Sequence, residues 1–345
     1  MESLNARHQK ILAAIVQGYI RSAEPIGSRT IARSSAFDLS PATIRNVMAD
    51  LEDLGLLCQP HTSAGRIPTD LGFRYYVDHL LQMEQLSTEV RKRIREACVQ
   101  NRGQVEEILK SGITVLSQLA PYVSVVSLPH FNQTVLKHIR FVRLNDHQVM
   151  AVIVSDAGLV QNILFEVEQQ YNQDELNRFS NYLNSIIDGL TLEGARLKLL
   201  EQMQADKAAY DSLWEKVLVL GQKVFAQGVG DDSDVMIDGK LNILEHPEFA
   251  DFERMKQIFR AFEEKNTIVK LLEEAQLGEP LQIFIGAENP CEDMRCCSVI
   301  MAGYGGEGQP GGQIGVIGPT RMEYSRIIPL VRYTADVINQ LISET

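Results

Sequence analysis

No apolar run in this 345-residue chain approaches the roughly 20 residues that a membrane-spanning helix requires, so no membrane segment is expected. The opening residues Met1 to Asn5 lack a basic stretch followed by an apolar core, which gives no export signal and makes a cytoplasmic location the expectation. Cysteine is scarce: five residues (Cys58, Cys98, Cys291, Cys296, Cys297), odd in number and without framework spacing, fit a reducing compartment rather than a disulfide scaffold. The seven histidines fall in no HExxH or comparable spacing, and there is no Gly-x-Ser-x-Gly elbow. The glycine-rich run from Gly303 to Gly312 lacks the Gly-Lys-Ser/Thr ending of a phosphate loop and reads as a loop between strands. Cys296 and Cys297 are adjacent, and adjacent residues on a strand point to opposite faces; with no histidine near them or near Cys291, a metal centre is disfavoured. No catalytic residue, metal or cofactor is therefore expected.

What is present is a globular composition, 45% hydrophobic and 23% charged, in a chain long enough for two or three domains. The net charge of −12 disfavours nucleic-acid binding along the whole length, but its distribution does not. Residues 1–82 carry eight basic and eight acidic side chains, so all the net acidity lies beyond them. An acidic body held away from phosphate and a neutral N-terminal head meeting DNA are consistent with this pattern.

In the head, apolar residues at Ile11, Leu12, Ile15, Val16 and Tyr19 follow helical spacing. Ser28 is read as the start of a short second helix reaching about Ser34. Ser40-Pro41 is an N-cap followed by proline at the first helical position, and Ile44, Val47, Met48, Leu51 and Leu54 form one stripe that Gly55 ends. Leu56 to Pro60, the polar turn His61 to Arg66 and the return Ile67-Pro68 read as a strand, a loop and a strand, which is a wing. Thr69 caps a fourth helix. A helical run from about Ser87 to Leu119 reads as a connector.

Beyond Tyr122, β-like runs at 123–128, 139–144, 149–155 and 163–167 precede a helix at 174–190. Residues 195–275 read as almost wholly helical, and strands return at 281–285, 297–304 and 312–317 before a last helix at 324–342. Because the hairpin strands on both sides need partners, the economical reading is one α+β domain split by a helical insertion. The predicted divisions are 1–85 (winged helix-turn-helix), 86–120 (connector), 121–194 and 278–345 (two parts of one α+β domain), and 195–277 (insertion). Trp214, Leu218, Phe225, Phe249, Phe252, Ile258, Phe259 and Phe262 give the insertion apolar area for its own core and for a dimer interface.

The stripe on the third helix leaves Ala42, Thr43, Arg45, Asn46, Ala49 and Asp50 outward. A small, polar and basic N-terminal half suits the major groove, where Asn pairs bidentately with adenine and Arg with guanine. Asp50, Glu52 and Asp53 at the other end are repelled by phosphate, so the N-terminal turns enter first. Ser28, Arg29 and Thr30 are placed to hold the backbone, and Arg66 at the wing tip to reach phosphate or a minor groove. The candidate DNA-binding set is Ser28, Arg29, Thr30, Ser40, Ala42, Thr43, Arg45, Asn46, His61, Thr62, Ser63 and Arg66.

The runs Pro25-Ile26-Gly27-Ser28-Arg29, Ser40 to Glu52, His61 to Asp70, Gly72 to Val77 and Gly315 to Met322 resemble the HrcA family of bacterial heat-inducible transcription repressors, nearly end to end. The resemblance implies a GAF-like body interrupted by a mainly helical inserted dimerisation domain. It also implies a homodimer on an inverted-repeat operator in double-stranded DNA, repression of heat-shock chaperone operons, and dependence on the chaperonin GroEL. Because GAF-like folds often bind ligands, a ligand-sensing transcription regulator is the alternative, and a scaffold without an operator is a third.

Overall fold

The computed structural model describes residues 4–33, 39–61, 64–100, 105–129, 135–156, 160–167, 169–187, 189–205, 220–221, 235–276, 281–305 and 311–344. Each helix of the head begins where a polar side chain or a backbone carbonyl satisfies its first amides. Asn5 Oδ1 accepts from the Arg7 and His8 N–H groups (3.1 and 3.0 Å) and opens α1 (Ala6–Ser22). α2 (Ser28–Arg33) starts on the Gly27 carbonyl, which accepts from Thr30 and Ile31, so Gly27 rather than Ser28 holds the cap position. Ser40 Oγ accepts from Thr43 N–H (3.2 Å) at the start of α3 (Pro41–Asp53). Ile11, Leu12, Ile15, Val16, Ile31, Ile44, Val47, Met48 and Leu51 close over one another, each contributing about 2 kcal/mol of burial.

Gly55, at φ +74°, turns the chain from α3 toward the wing. β1 (Leu57–Cys58) and β2 (Ile67–Pro68) pair antiparallel, and a further bridge joins Ile26 to Arg66 through two 2.9 Å hydrogen bonds. A Cβ at Gly65 would lie 2.4 Å from the Ile26 carbonyl oxygen, so this approach requires glycine. α4 (Asp70–Tyr75) is capped by Thr69 and widens into a π turn over Tyr76–Leu80.

The body is built on a five-stranded antiparallel sheet in the order β7 (Val235–Asp238), β3 (Val123–Ser127), β10 (Gly312–Pro319), β9 (Cys297–Tyr304), β8 (Leu281–Ile285). One face packs on α5 (Thr88–Val99), α6 (Val105–Leu119) and α11 (Tyr324–Ser343), through Val126, Ile300, Ile314 and Val316. The other packs on α9 (Phe252–Glu263) and α10 (Lys265–Gln276), through Val125, Val299, Met301 and Ile317. With helices on both faces, every residue of β10 is buried. This is the GAF-like α+β domain anticipated above.

Between β3 and β7 lies a second unit. β4 (Leu136–Arg143), β5 (Gln148–Ser155) and β6 (Val160–Glu166) form a separate antiparallel sheet, backed by α7 (Gln173–Ile187) and α8 (Leu192–Ala205) around a core of their own.

The body thus divides at different residues from those expected. The hairpins at 136–166 do not share a sheet with 281–319; α7 and α8 cover their apolar face, so no partner strand is needed. Residues 235–276 do not form a separate helical unit: β7, a strand absent from the sequence reading, pairs with β3, while α9 and α10 cover the body sheet. Phe249, Ile258 and Phe262 are buried there, and only Phe252 of the described aromatic set stands exposed. Trp214, Leu218 and Phe225 lie outside the described residues. The expected connector over 86–120 is instead the helix pair α5 and α6, whose Ile94, Ile108, Leu109 and Leu116 belong to the body's core.

Candidate nucleic-acid interface

On α3 the core stripe fixes the rotation of the helix and so decides which residues face outward. Ala42, Arg45, Asn46, Ala49 and Asp50 are exposed, and Thr43 is half-buried with its Oγ1 2.9 Å from Ser40 Oγ. Neither Arg45 nor Asn46 has an ion-pair or hydrogen-bonding side-chain partner among the described residues. The opposite end of the same helix is different: Asp50 lies 3.3 Å from His8 Nε2, and Glu52 lies 2.7 Å from Arg66 Nη2. Internal partners thus occupy the acidic end, while the N-terminal half keeps an unengaged guanidinium and amide. That is the polarity that insertion into a negatively charged duplex needs.

Around α3 the predicted contacts sort unevenly. Arg29 and Thr30 are exposed on α2, but Ser28 is buried and its hydroxyl does not share their face. Ser40 is exposed with its hydroxyl engaged in capping. His61 is exposed at the wing turn, where its carbonyl accepts from Ala64 N–H (2.9 Å). Thr62 and Ser63 lie outside the described residues. Arg66 departs most from expectation. It sits at the base of the wing, in the bridge to Ile26, with its side chain only 20% exposed and its charge held by Glu52. Its Nε is buried without a hydrogen-bond partner. It fastens the wing to α3 and is not a free cation at a tip.

Sequence reasoning gave no role to the residues that root the head in the body. Arg74 of α4 donates from Nε to Glu288 Oε1 (2.9 Å), from Nη2 to Glu288 Oε2 (2.5 Å) and to the Ile283 carbonyl (2.5 Å), and from Nη1 to Asp78 (3.2 Å). The Glu288 hydrogen bonds, opposed by partial desolvation and aided by both acids' charge, raise its pKa further. Asp70 accepts from Ala287 N–H (2.9 Å). Arg321 is paired with Glu248 and donates from Nη1 to the Ile20 carbonyl (3.1 Å). Phe73 lies between Tyr19 and Tyr324, 6.2 Å from each ring. An arginine inside the otherwise apolar run Leu71 to Val77 was the available signal, since a half-buried guanidinium demands carboxylate partners. A cavity of about 400 Å³ lined by Gln17, Ile20, Tyr76, Leu80, Glu84 and Glu323 opens along the same seam.

Comparison with known proteins covers both parts of the chain. The family model described as "Winged helix-turn-helix transcription repressor, HrcA DNA-binding" matches residues 3–77, and "HrcA protein C terminal domain" matches residues 106–328. A protein of Syntrophobacter fumaroxidans named "Heat-inducible transcription repressor HrcA" is 43% identical over 345 residues, covering 100% of this chain and 99% of its own. One of the same name from Geobacter sulfurreducens is 42% identical over 343 residues, 99% of each chain. A crystal structure titled as that of a hypothetical protein superposes with a TM-score of 0.62 at 21% identity over 99% of both chains, which shows a shared fold.

Proposed function

The chain belongs to the HrcA family of heat-inducible transcription repressors, and from that premise we propose that it binds an inverted-repeat operator as a homodimer, represses heat-shock chaperone genes and is kept active by the chaperonin GroEL. The observation that carries the reading is the α3 surface: Arg45 and Asn46 stand exposed at the N-terminal half of a helix whose other side is fixed by Ile44, Val47, Met48 and Leu51. Arg45 and Asn46 contact base edges; Arg29, Thr30 and the wing at His61 contact the backbone.

An inverted repeat needs two heads related by a two-fold axis. The outward face of the three-stranded sheet supports a place for that axis. Met150, Val152 and Val154 of β5 stand opposite Leu164, Asn162 and Val160 of β6, and Leu164 and Val160 are 55% and 60% exposed. Apolar side chains on a sheet already backed by α7 and α8 offer an isologous surface to a second copy.

Mobility shifts across inverted repeats of varied spacing test the reading: tight binding to one spacing, lost when either half-site is scrambled, is expected. Equal affinity for all duplexes overturns it. Operator affinity that is the same with and without GroEL overturns the chaperonin element. A second reading, regulation by a small molecule, is favoured by the cavity between head and body, because a ligand there touches both. It predicts a ligand-dependent change in operator affinity that Tyr76→Ala abolishes.

A further inference from the structure

The adjacent cysteines do not behave as residues of one strand. Cys296 precedes β9 and Cys297 is its first residue, so the alternation that separates neighbouring strand side chains does not apply, and their sulfurs lie 3.8 Å apart. Cys296 is half-buried and reachable from solvent; Cys297 is buried behind it against the body sheet. We propose that Cys296 and Cys297 form a vicinal-dithiol site that captures trivalent arsenicals as a cyclic dithiolate.

The step requires no oxidant. With an aryl arsenoxide, the Cys296 sulfur forms the first As–S bond and the Cys297 sulfur the second. The arsenic–oxygen bonds break, the oxygen leaves as water with the two thiol protons, and arsenic remains trivalent. Soft thiolate sulfur is the matched donor for such a centre. The hydrogen bond from Cys297, opposed by burial and aided by Arg254, lowers the Cys296 thiol to about 7, which makes it the attacking sulfur of the pair. Once Cys296 is bonded, the second ring closure is intramolecular, which favours the chelate over two separate adducts. Cys297 is itself held well above the ordinary thiol range by its hydrogen bond to Cys296 and by burial, so it closes the ring second. The other thiols have no such neighbouring first attacker among the described residues. Burial pushes Cys98 up to about 11, and Cys58 and Cys291 are also raised chiefly by burial.

The site is wired to the head. Asn289, nearly fully buried, donates through its two Nδ2 hydrogens to the Cys297 carbonyl (2.8 Å) and the Met294 carbonyl (2.9 Å), with the Gly286 carbonyl 3.3 Å away as a weaker shared acceptor. The same segment supplies Ala287 N–H and Glu288 to Asp70 and Arg74 of α4. Ring closure at the two sulfurs therefore acts on the segment that roots the reading head.

The test is intact-mass analysis of the full-length protein with phenylarsine oxide, followed by hydrogen exchange. A single adduct is expected that survives excess 2-mercaptoethanol, is removed by 2,3-dimercaptopropanol, and speeds amide exchange across residues 286–289. It is lost in Cys296→Ser and in the better-packed Cys297→Ala, and kept in Cys58→Ser, Cys98→Ala and Cys291→Ser. An adduct that a monothiol strips, that persists without Cys296 or Cys297, or that needs Cys291 in place of Cys297 overturns the proposal. None of these readings depends on operator binding, so they stand or fall apart from the repressor assignment.

Discussion

The reading head and the three-stranded unit bury the same kinds of side chain against different neighbours. The head's core runs without a break into the body, through Phe73 against Tyr324 and through the Arg74 and Arg321 contacts. The unit closes its core on itself, with Leu136, Ile139, Phe141, Ile153 and Phe165 packed on Leu176, Phe179 and Leu183. A head that shares its core takes its orientation from the body. A unit with its own core leaves its outer sheet face available for a partner.

The strongest way to break this contrast is at that outer face. Val160→Glu with Leu164→Glu should leave the unit folded, because both side chains point away from its core. Sedimentation should then show a monomer, and operator affinity should drop roughly 100-fold or more as the second half-site contact becomes bimolecular. An unchanged dimer mass places the interface elsewhere. Next, Arg74→Ala removes the root of the head and strands Glu288 and Asp78. Denaturant titration should show a loss of about 2–3 kcal/mol. Arg143→Ala, which breaks an exposed ion pair with Asp146 in the three-stranded unit, should cost under about 0.5 kcal/mol. Equal losses for the two would remove the distinction between a rooted head and a self-contained unit.

Within the head, Arg45→Ala and Asn46→Ala should each erase about 1–3 kcal/mol of discrimination between operator and mutated half-sites, measured by competition shifts, with stability unchanged. Ser40→Ala removes the α3 cap and should lower thermal stability by about 1 kcal/mol. The subtlest comparison separates two arginines. Arg29→Ala should reduce the slope of log affinity against log salt by about 1, whereas Arg66→Ala should leave the slope alone and destabilise the wing. A slope change for Arg66→Ala restores it as a phosphate contact.

What is legible in the sequence is what is local. Ser40-Pro41, the stripe Ile44 to Leu51 and Gly55 specify α3 within sixteen residues, so its outward face is legible. Arg66 was misplaced because its partner, Glu52, lies on another element, and no spacing rule announces a bridge to Ile26. The partition of the body was misread for a related reason. In the folded chain β5 alternates half-buried and buried residues, as a sheet covered on one face must, while β10 is buried at every position, but the residues themselves hide this: Val149 to Val154 of β5 is an unbroken apolar run. Those two textures mark different sheets, yet both read simply as strand. β7 is four residues long and gains its identity from pairing with β3, a partner more than a hundred positions away.

The Phe73 wedge between Tyr19 and Tyr324 has a consequence for the DNA itself. A head on a slack tether could follow a half-site as it winds around the duplex. In the proposed dimer the protein would act as a caliper of fixed gap: each base pair added between half-sites would turn one of them by about a tenth of a revolution, out of reach of its helix. A genome that lengthens the spacer must therefore recut the joint between head and body as well.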